Sequence, residues 1–155
     1  MPRPIRKSIR LPDQVYREPG HPFSLTLGTA PRSPVFTDIP FGLECIAHLR
    51  EMHDSIGTLV YAYCLMPDHV HLLLGVSRDE SLPRVVGRWK SLCAKSRRAR
   101  KGSGLFWQRS FYDRALREKE SIVNTATYIL NNPVRAGLVT DFHDYPLCGS
   151  MEFDL

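Results

Sequence analysis

Residues 61–76 read YAYCLMPDHVHLLLGV, and this stretch limits the fold more than any other. Two runs of strand-forming residues flank Met66-Pro67-Asp68. Proline removes a ladder donor and presets a turn dihedral, so the runs form a hairpin of Gly57–Leu65 and His69–Val76. Side chains on a strand alternate faces. His69 and His71 therefore share one side of the sheet, and Val70 points to the other, toward a core. Imidazole is a common ligand for divalent metals. A same-face pair on a rigid strand suits half of a metal site, and it suits equally two hydrogen-bonded polar residues. The three-residue pattern alone does not choose.

The flanking chain completes an α+β unit. In HPFSLTLGTA, Phe23, Leu25 and Leu27 alternate with Ser24 and Thr26, the pattern of a half-buried strand. Asp38 is placed to cap a helix with Pro40 in its first turn. That helix should run from Phe41 to His53, with Leu43, Ile46, Ala47 and Leu49 as its apolar stripe and His48 and His53 exposed. A long helix from Leu82 to Arg100 carries Leu82, Val85, Val86, Trp89, Leu92 and Cys93 on one face. Leu105–Leu116 reads as a fourth strand. A last helix starts at Glu120 or Ser121 and runs to Asn132, where Pro133 ends or kinks it. The order βαββαβ is the ferredoxin-like pattern, a four-stranded antiparallel sheet with two helices on one face. The first and third strands are central, which puts the histidines mid-sheet, and the last helix is an addition. With 155 residues the chain suits one domain. Residues 1–20 read as a basic arm carrying Arg3, Arg6, Lys7, Arg10 and Arg17, residues 21–147 as the domain, and residues 148–155 as a tail, the end of a stretch from Asp141 with no expected element.

A net charge of +5 favours an anionic partner, nucleic acid first. The longest apolar runs are too short to span a bilayer, and the Pro-broken N-terminus lacks the apolar segment of a secretory signal. Cys45, Cys64, Cys93 and Cys148 form no C-x-x-C pair and read as thiols of a reducing, cytoplasmic compartment. Lys95, Arg97, Arg98, Arg100 and Lys101 close the long helix. The helix dipole favours cations there, yet five in seven residues exceed what capping needs, so they are candidates for phosphate contact. Arg114 and Arg117 lie near Trp107, Phe111 and Tyr112. Unpaired bases can stack on such a surface, or the aromatics belong to the core; the two arginines are the better candidates for phosphate.

The last helix supplies a second half for the site. At about 100° per residue, Ile122, Ala126, Ile129, Leu130 and Pro133 cluster on one side. Tyr128 falls about 140° away, on the face of Asn124 and Asn132. A tyrosine placed for packing belongs on the stripe; this one is displayed, as an amphipathic surface residue or as a functional one. A phenol is a competent nucleophile toward phosphorus when held in line with the phosphate polarised by a metal. Asn132, one turn on, can offer an oxygen ligand beside the imidazoles, a set that suits Mn²⁺ or Mg²⁺. Among the competing tyrosines, Tyr112 reads as packing or base stacking, and Tyr61 and Tyr63 as structural.

Three segments in order, LMPDHVHLLL, FWQRSFYDR and YILNNPVRAGLV, resemble the HUH-type single-tyrosine transposases, in particular their REP-associated tyrosine transposase branch. The resemblance covers residues 55–147. It implies His69 and His71 as metal ligands, Tyr128 as nucleophile, and Asn132 as the third ligand where related enzymes often carry Gln. It further implies a Mg²⁺- or Mn²⁺-dependent endonuclease and strand transferase, cutting single-stranded DNA at hairpin-forming palindromes through a 5′-phosphotyrosine. Such an enzyme works in the cytoplasm at the nucleoid, as a homodimer or a monomer. The rival expectation is a domesticated module that holds hairpin DNA or RNA without cutting; a structural ferredoxin-like subunit is a third.

Overall fold

The structure, a computed structural model, describes residues 11–100, 106–117 and 120–155. Its elements are α1 (Asp13–Tyr16), β1 (Phe23–Gly28), α2 (Ile39–Ile56), β2 (Leu59–Met66), β3 (His69–Gly75), α3 (Leu82–Ala99), β4 (Tyr112–Ala115), α4 (Ile122–Leu130), α5 (Asn132–Arg135) and β5 (Cys148–Gly149). The expected α+β order holds, with β1 and β3 inside the sheet. The sheet has five strands where four were expected, in the order β4-β1-β3-β2-β5, and every pairing is antiparallel.

Asp38 caps α2, accepting from the Phe41 amide at 3.1 Å, and Gly57 closes that helix in the left-handed region. The helix buries Phe41, Gly42, Cys45, Ile46, Leu49 and Met52. Leu43, expected in the stripe, is 49% exposed, and Ala47 is also outside it. Helices α2 and α3 pack on one face of the sheet, against Phe23, Leu25, Leu27, Val70, Leu72 and Leu74. The opposite face carries a smaller core of Ala62, Cys64, Met66, Leu73 and Leu116 under Ala126, Ile129 and Leu130 of α4.

A bulge in β2 reconciles the two faces. Val60 pairs with Leu74 and Ala62 with Leu73, leaving Tyr61 as the extra residue. Val60 thereby joins the α2–α3 core while Ala62, Cys64 and Met66 turn toward α4.

The stretch from Asp141 is not a loose tail. Leu147 is fully buried, against Gly42 of α2, where a Cβ would stand 2.5 Å from its Cδ1. Cys148 and Gly149 then pair with Cys64 and Tyr63. Nor are residues 11–20 a free arm: Tyr16 is buried and its hydroxyl donates to Asp113 at 2.7 Å. Arg3, Arg6, Lys7 and Arg10 lie outside the described residues. The fourth strand is shorter than expected, and Trp107 forms only an isolated antiparallel bridge to Thr29, just past the end of β1. Among the described residues no helix is long and apolar enough to cross a membrane.

Candidate active site

His69 and His71 project from β3 on the α4 side of the sheet. The register sets Met66 and Gly28 beside His69, and Cys64 and Thr26 beside His71. Their rings are perpendicular, with centroids 4.9 Å apart. The Nδ1 atom of His69 lies 2.7 Å from Asp68 Oδ1, and that of His71 lies 3.3 Å from Thr26 Oγ1. Asp68, held below the usual carboxylate range chiefly by this bond to His69, stays ionised and can only accept. Nδ1 of His69 is then the donor of this bond, and Nε2 is the ring atom turned away from Asp68. An imidazole steadied through one nitrogen by a carboxylate is how proteins orient metal-binding histidines. Burial, with smaller contributions from His69 and Arg135, pushes His71 down to about 4. At neutral pH it is uncharged, the form in which imidazole binds a metal.

The structure therefore fits a divalent ion on this pair. Among the described residues no group of three or more His, Cys, Asp or Glu side chains is arranged to hold a metal ion, so the imidazole pair offers two ligands and not a closed site.

Ser121 caps α4, its side chain accepting from the Asn124 amide at 3.2 Å. Ala126, Ile129, Leu130 and Pro133 are buried as expected, and Ile122 partly so. Tyr128 is 65% exposed. It lines an open groove of about 330 Å³ with Arg114, Glu120, Ser121, Asn124 and Thr125. The amide Nδ2 of Asn132 donates to the Ile129 carbonyl at 2.8 Å, while its Oδ1 accepts from Arg135 at 3.0 Å. The Arg135 guanidinium also stacks 3.8 Å from the Tyr128 ring centre, and its charge reaches His71. This one arginine thus touches or influences all three parts of the expected site. Sequence reasoning passed over it, because it lies beyond the break at Asn131 between α4 and α5. Asp68 was read only as a turn residue, and periodicity carries no signal for its bond to His69.

The basic run is not brought to this face. Arg97 stacks over Phe41 and Phe106 at 5.7 and 5.8 Å, and Arg100 pairs with Glu44 at 2.8 Å, both in the α2–α3 layer. Lys95 and Arg98 are exposed on α3, and Lys101 lies outside the described residues. Arg114 is on the α4 side, bonded to Glu120 at 2.7 Å, and Arg117 is exposed next to it. Trp107 and Phe106 belong to the core, whereas Tyr112, opposite Thr26, is 64% exposed.

A family model described as Transposase IS200 like matches residues 22–132. The chain belongs to the IS200-like transposase family. A curated relative of this family member, from Haemophilus influenzae and assigned as a REP-associated tyrosine transposase, is 29% identical over 101 residues, covering 55% of this chain and 54% of the relative. The chain thus spans about half the length of that relative. Among solved structures, a REP-associated tyrosine transposase bound to a REP hairpin matches 86% of this chain and 78% of its own, with TM-score 0.67 and 21% identity. A Deinococcus radiodurans R1 protein assigned as a transposase matches 71% of this chain and 88% of its own, with TM-score 0.52 and 26% identity. The two solved structures share this fold, and the family match runs from just before β1 into α5.

Proposed function

We propose that this IS200-like protein is a single-stranded DNA endonuclease and strand transferase, with Tyr128 as nucleophile and Mg²⁺ or Mn²⁺ on His69, His71 and Asn132. The observation that carries the reading is the pairing on one sheet face of two oriented imidazoles with an exposed tyrosine on the helix packed over that face. The structure solved with a REP hairpin supports a hairpin substrate; in this proposal a palindrome folds into a stem and an unpaired flank reaches the groove beside Tyr128.

In the reaction the Tyr128 oxygen attacks phosphorus. A P–O(tyrosine) bond forms, the P–O3′ bond breaks, the phenolic proton passes to water, and the leaving 3′ oxygen takes up a proton. One phosphodiester replaces another, so a 3′-OH can later reverse the step without external energy. A divalent ion bound there supplies Lewis-acid polarisation of the phosphate. The chain's own part is positional. Asp68 and Thr26 fix the histidine rings, the α4 stripe anchors the helix, and Tyr128 stays exposed toward the incoming strand. The packing of α4 on β2 and β3 of its own sheet supports a site drawn from a single chain.

The test uses single-stranded oligonucleotides carrying the palindromes that flank the gene, with Mn²⁺ or Mg²⁺, resolved on a denaturing gel. A covalent protein–DNA adduct should form, and Tyr128→Phe and His69→Ala should abolish it while Tyr112→Phe keeps it. Tight hairpin binding with no adduct at saturating metal would sink the nuclease reading in favour of a binding module.

A further inference from the structure

Arg135 bridges two parts of the proposed site, Tyr128 and Asn132. Its guanidinium covers the Tyr128 ring at 3.8 Å and donates to Asn132 Oδ1 at 3.0 Å. The other end of that carboxamide is fixed by the bond from Nδ2 to the Ile129 carbonyl, so the oxygen is aimed at the guanidinium. The Arg135 side chain is exposed, and a guanidinium carries five N–H donors in a planar fork, more than this contact uses.

We propose that Arg135 is a positioning residue that couples metal capture to DNA binding: it holds the Asn132 oxygen and the Tyr128 ring together, then passes the oxygen to a divalent ion as its guanidinium moves to a DNA phosphate. The inference rests on the reading of Tyr128 as nucleophile and Asn132 as a ligand. Two cations sharing one amide oxygen oppose each other at short range. A phosphate is the stronger partner for the fork, because it is charged and can accept two parallel bonds. DNA therefore relieves the competition, and metal and DNA bind with positive coupling. Until then the stacked cation limits the freedom of the nucleophile's ring.

The experiment measures Mn²⁺ affinity by electron paramagnetic resonance on the full chain, with and without hairpin DNA. It is done in a Tyr128→Phe background, which keeps the ring and blocks cleavage. DNA should tighten Mn²⁺ binding about tenfold. With Arg135→Gln, Mn²⁺ should bind about threefold tighter in the absence of DNA, through loss of the competing charge, and the gain from DNA should fall to about twofold or less. With Tyr128 restored, Arg135→Gln should slow single-turnover adduct formation about tenfold at saturating metal and DNA. Arg135→Lys keeps the charge without the fork and should recover part of the coupling. A merely structural arginine would lower metal affinity and rate together. Mn²⁺ binding that is unchanged or weaker in Arg135→Gln, or a DNA effect that persists in it, overturns the proposal. If the Tyr128 chain makes no adduct at all, the nuclease reading fails and this inference with it; an adduct formed by Arg135→Gln at the unmodified rate removes this inference alone.

Discussion

Acid should unfold this protein earlier than it unfolds a His71→Gln variant. In the folded chain, burial first, then the charges of His69 and Arg135, hold His71 down to about 4 from its ordinary 6.5. In the unfolded chain the ring takes its proton near its ordinary value. Below that point the unfolded state binds more protons than the folded one, so the contribution is complete above about pH 6.5 and is lost as the pH falls toward about 4. The whole difference is about 3 kcal/mol, and about 2 kcal/mol of it is gone by about pH 5. Other groups titrate nearby with mixed signs. His53 is raised, mainly by its bond to Asp54, and its protonation favours folding; Asp68 is lowered and acts the other way. Comparison with the variant isolates His71. The assay is urea unfolding in chelator at about pH 7.5 and about pH 5, and the unmodified chain should lose about 2 kcal/mol more than His71→Gln. Equal losses would refute the argument, since they would mean that the folded chain lets this ring protonate freely.

Three further outcomes follow from single contacts. Asp68→Ala removes the acceptor of the 2.7 Å bond to His69; Mn²⁺ affinity by calorimetry should fall about 10- to 100-fold, with the tyrosine adduct recovered at high metal. Ser121→Ala removes the cap of α4 and should cost about 1 kcal/mol, read as faster hydrogen exchange at the first α4 amides with the two-helix layer unaffected. Gly149→Val would place a Cβ 2.6 Å from Tyr63 Oη. It should dislodge β5, so that limited proteolysis trims the chain after Tyr145 while β1–β4 stay protected.

Much of the architecture was legible because its periodicities were clean. The alternation in β1 and β3 put Val70 inward and the histidines on one face, and the wheel of α4 put Tyr128 outward. What the sequence concealed were departures from period. The extra residue Tyr61 makes Val60 and Ala62 look like same-face neighbours when they serve opposite cores. On α2, Leu43 and Ala47 fit a plausible stripe, but Phe41 packs on Phe36 and Phe106, Cys45 is buried with it, and Leu147 docks against Gly42. That contact depends on a segment about a hundred residues away, which no local pattern reports. β5 is only two residues long and gains its place from pairing, not propensity. Helix spacing is what singles out Asn132, whereas Arg135 follows the break at Asn131 where that spacing no longer applies. The cations of α3 show the converse: a dense charge run whose Arg97 and Arg100 are engaged with rings and a carboxylate of their own layer.

Tyr61 does more than interrupt a ladder. Its hydroxyl donates to the Gly20 carbonyl at 2.8 Å, and its ring stacks on Phe153 at 6.1 Å. One bulged side chain thus knots the segments before β1 and after β5 to the same spot on β2, toward the end of the hairpin away from the Pro67 turn. Mechanically, tension applied through residues 20 and 153 is shared at this knot and enters the hairpin far from His69. A fusion partner or surface tether joined beyond those residues would pull on the back of the hairpin and leave the histidine turn slack.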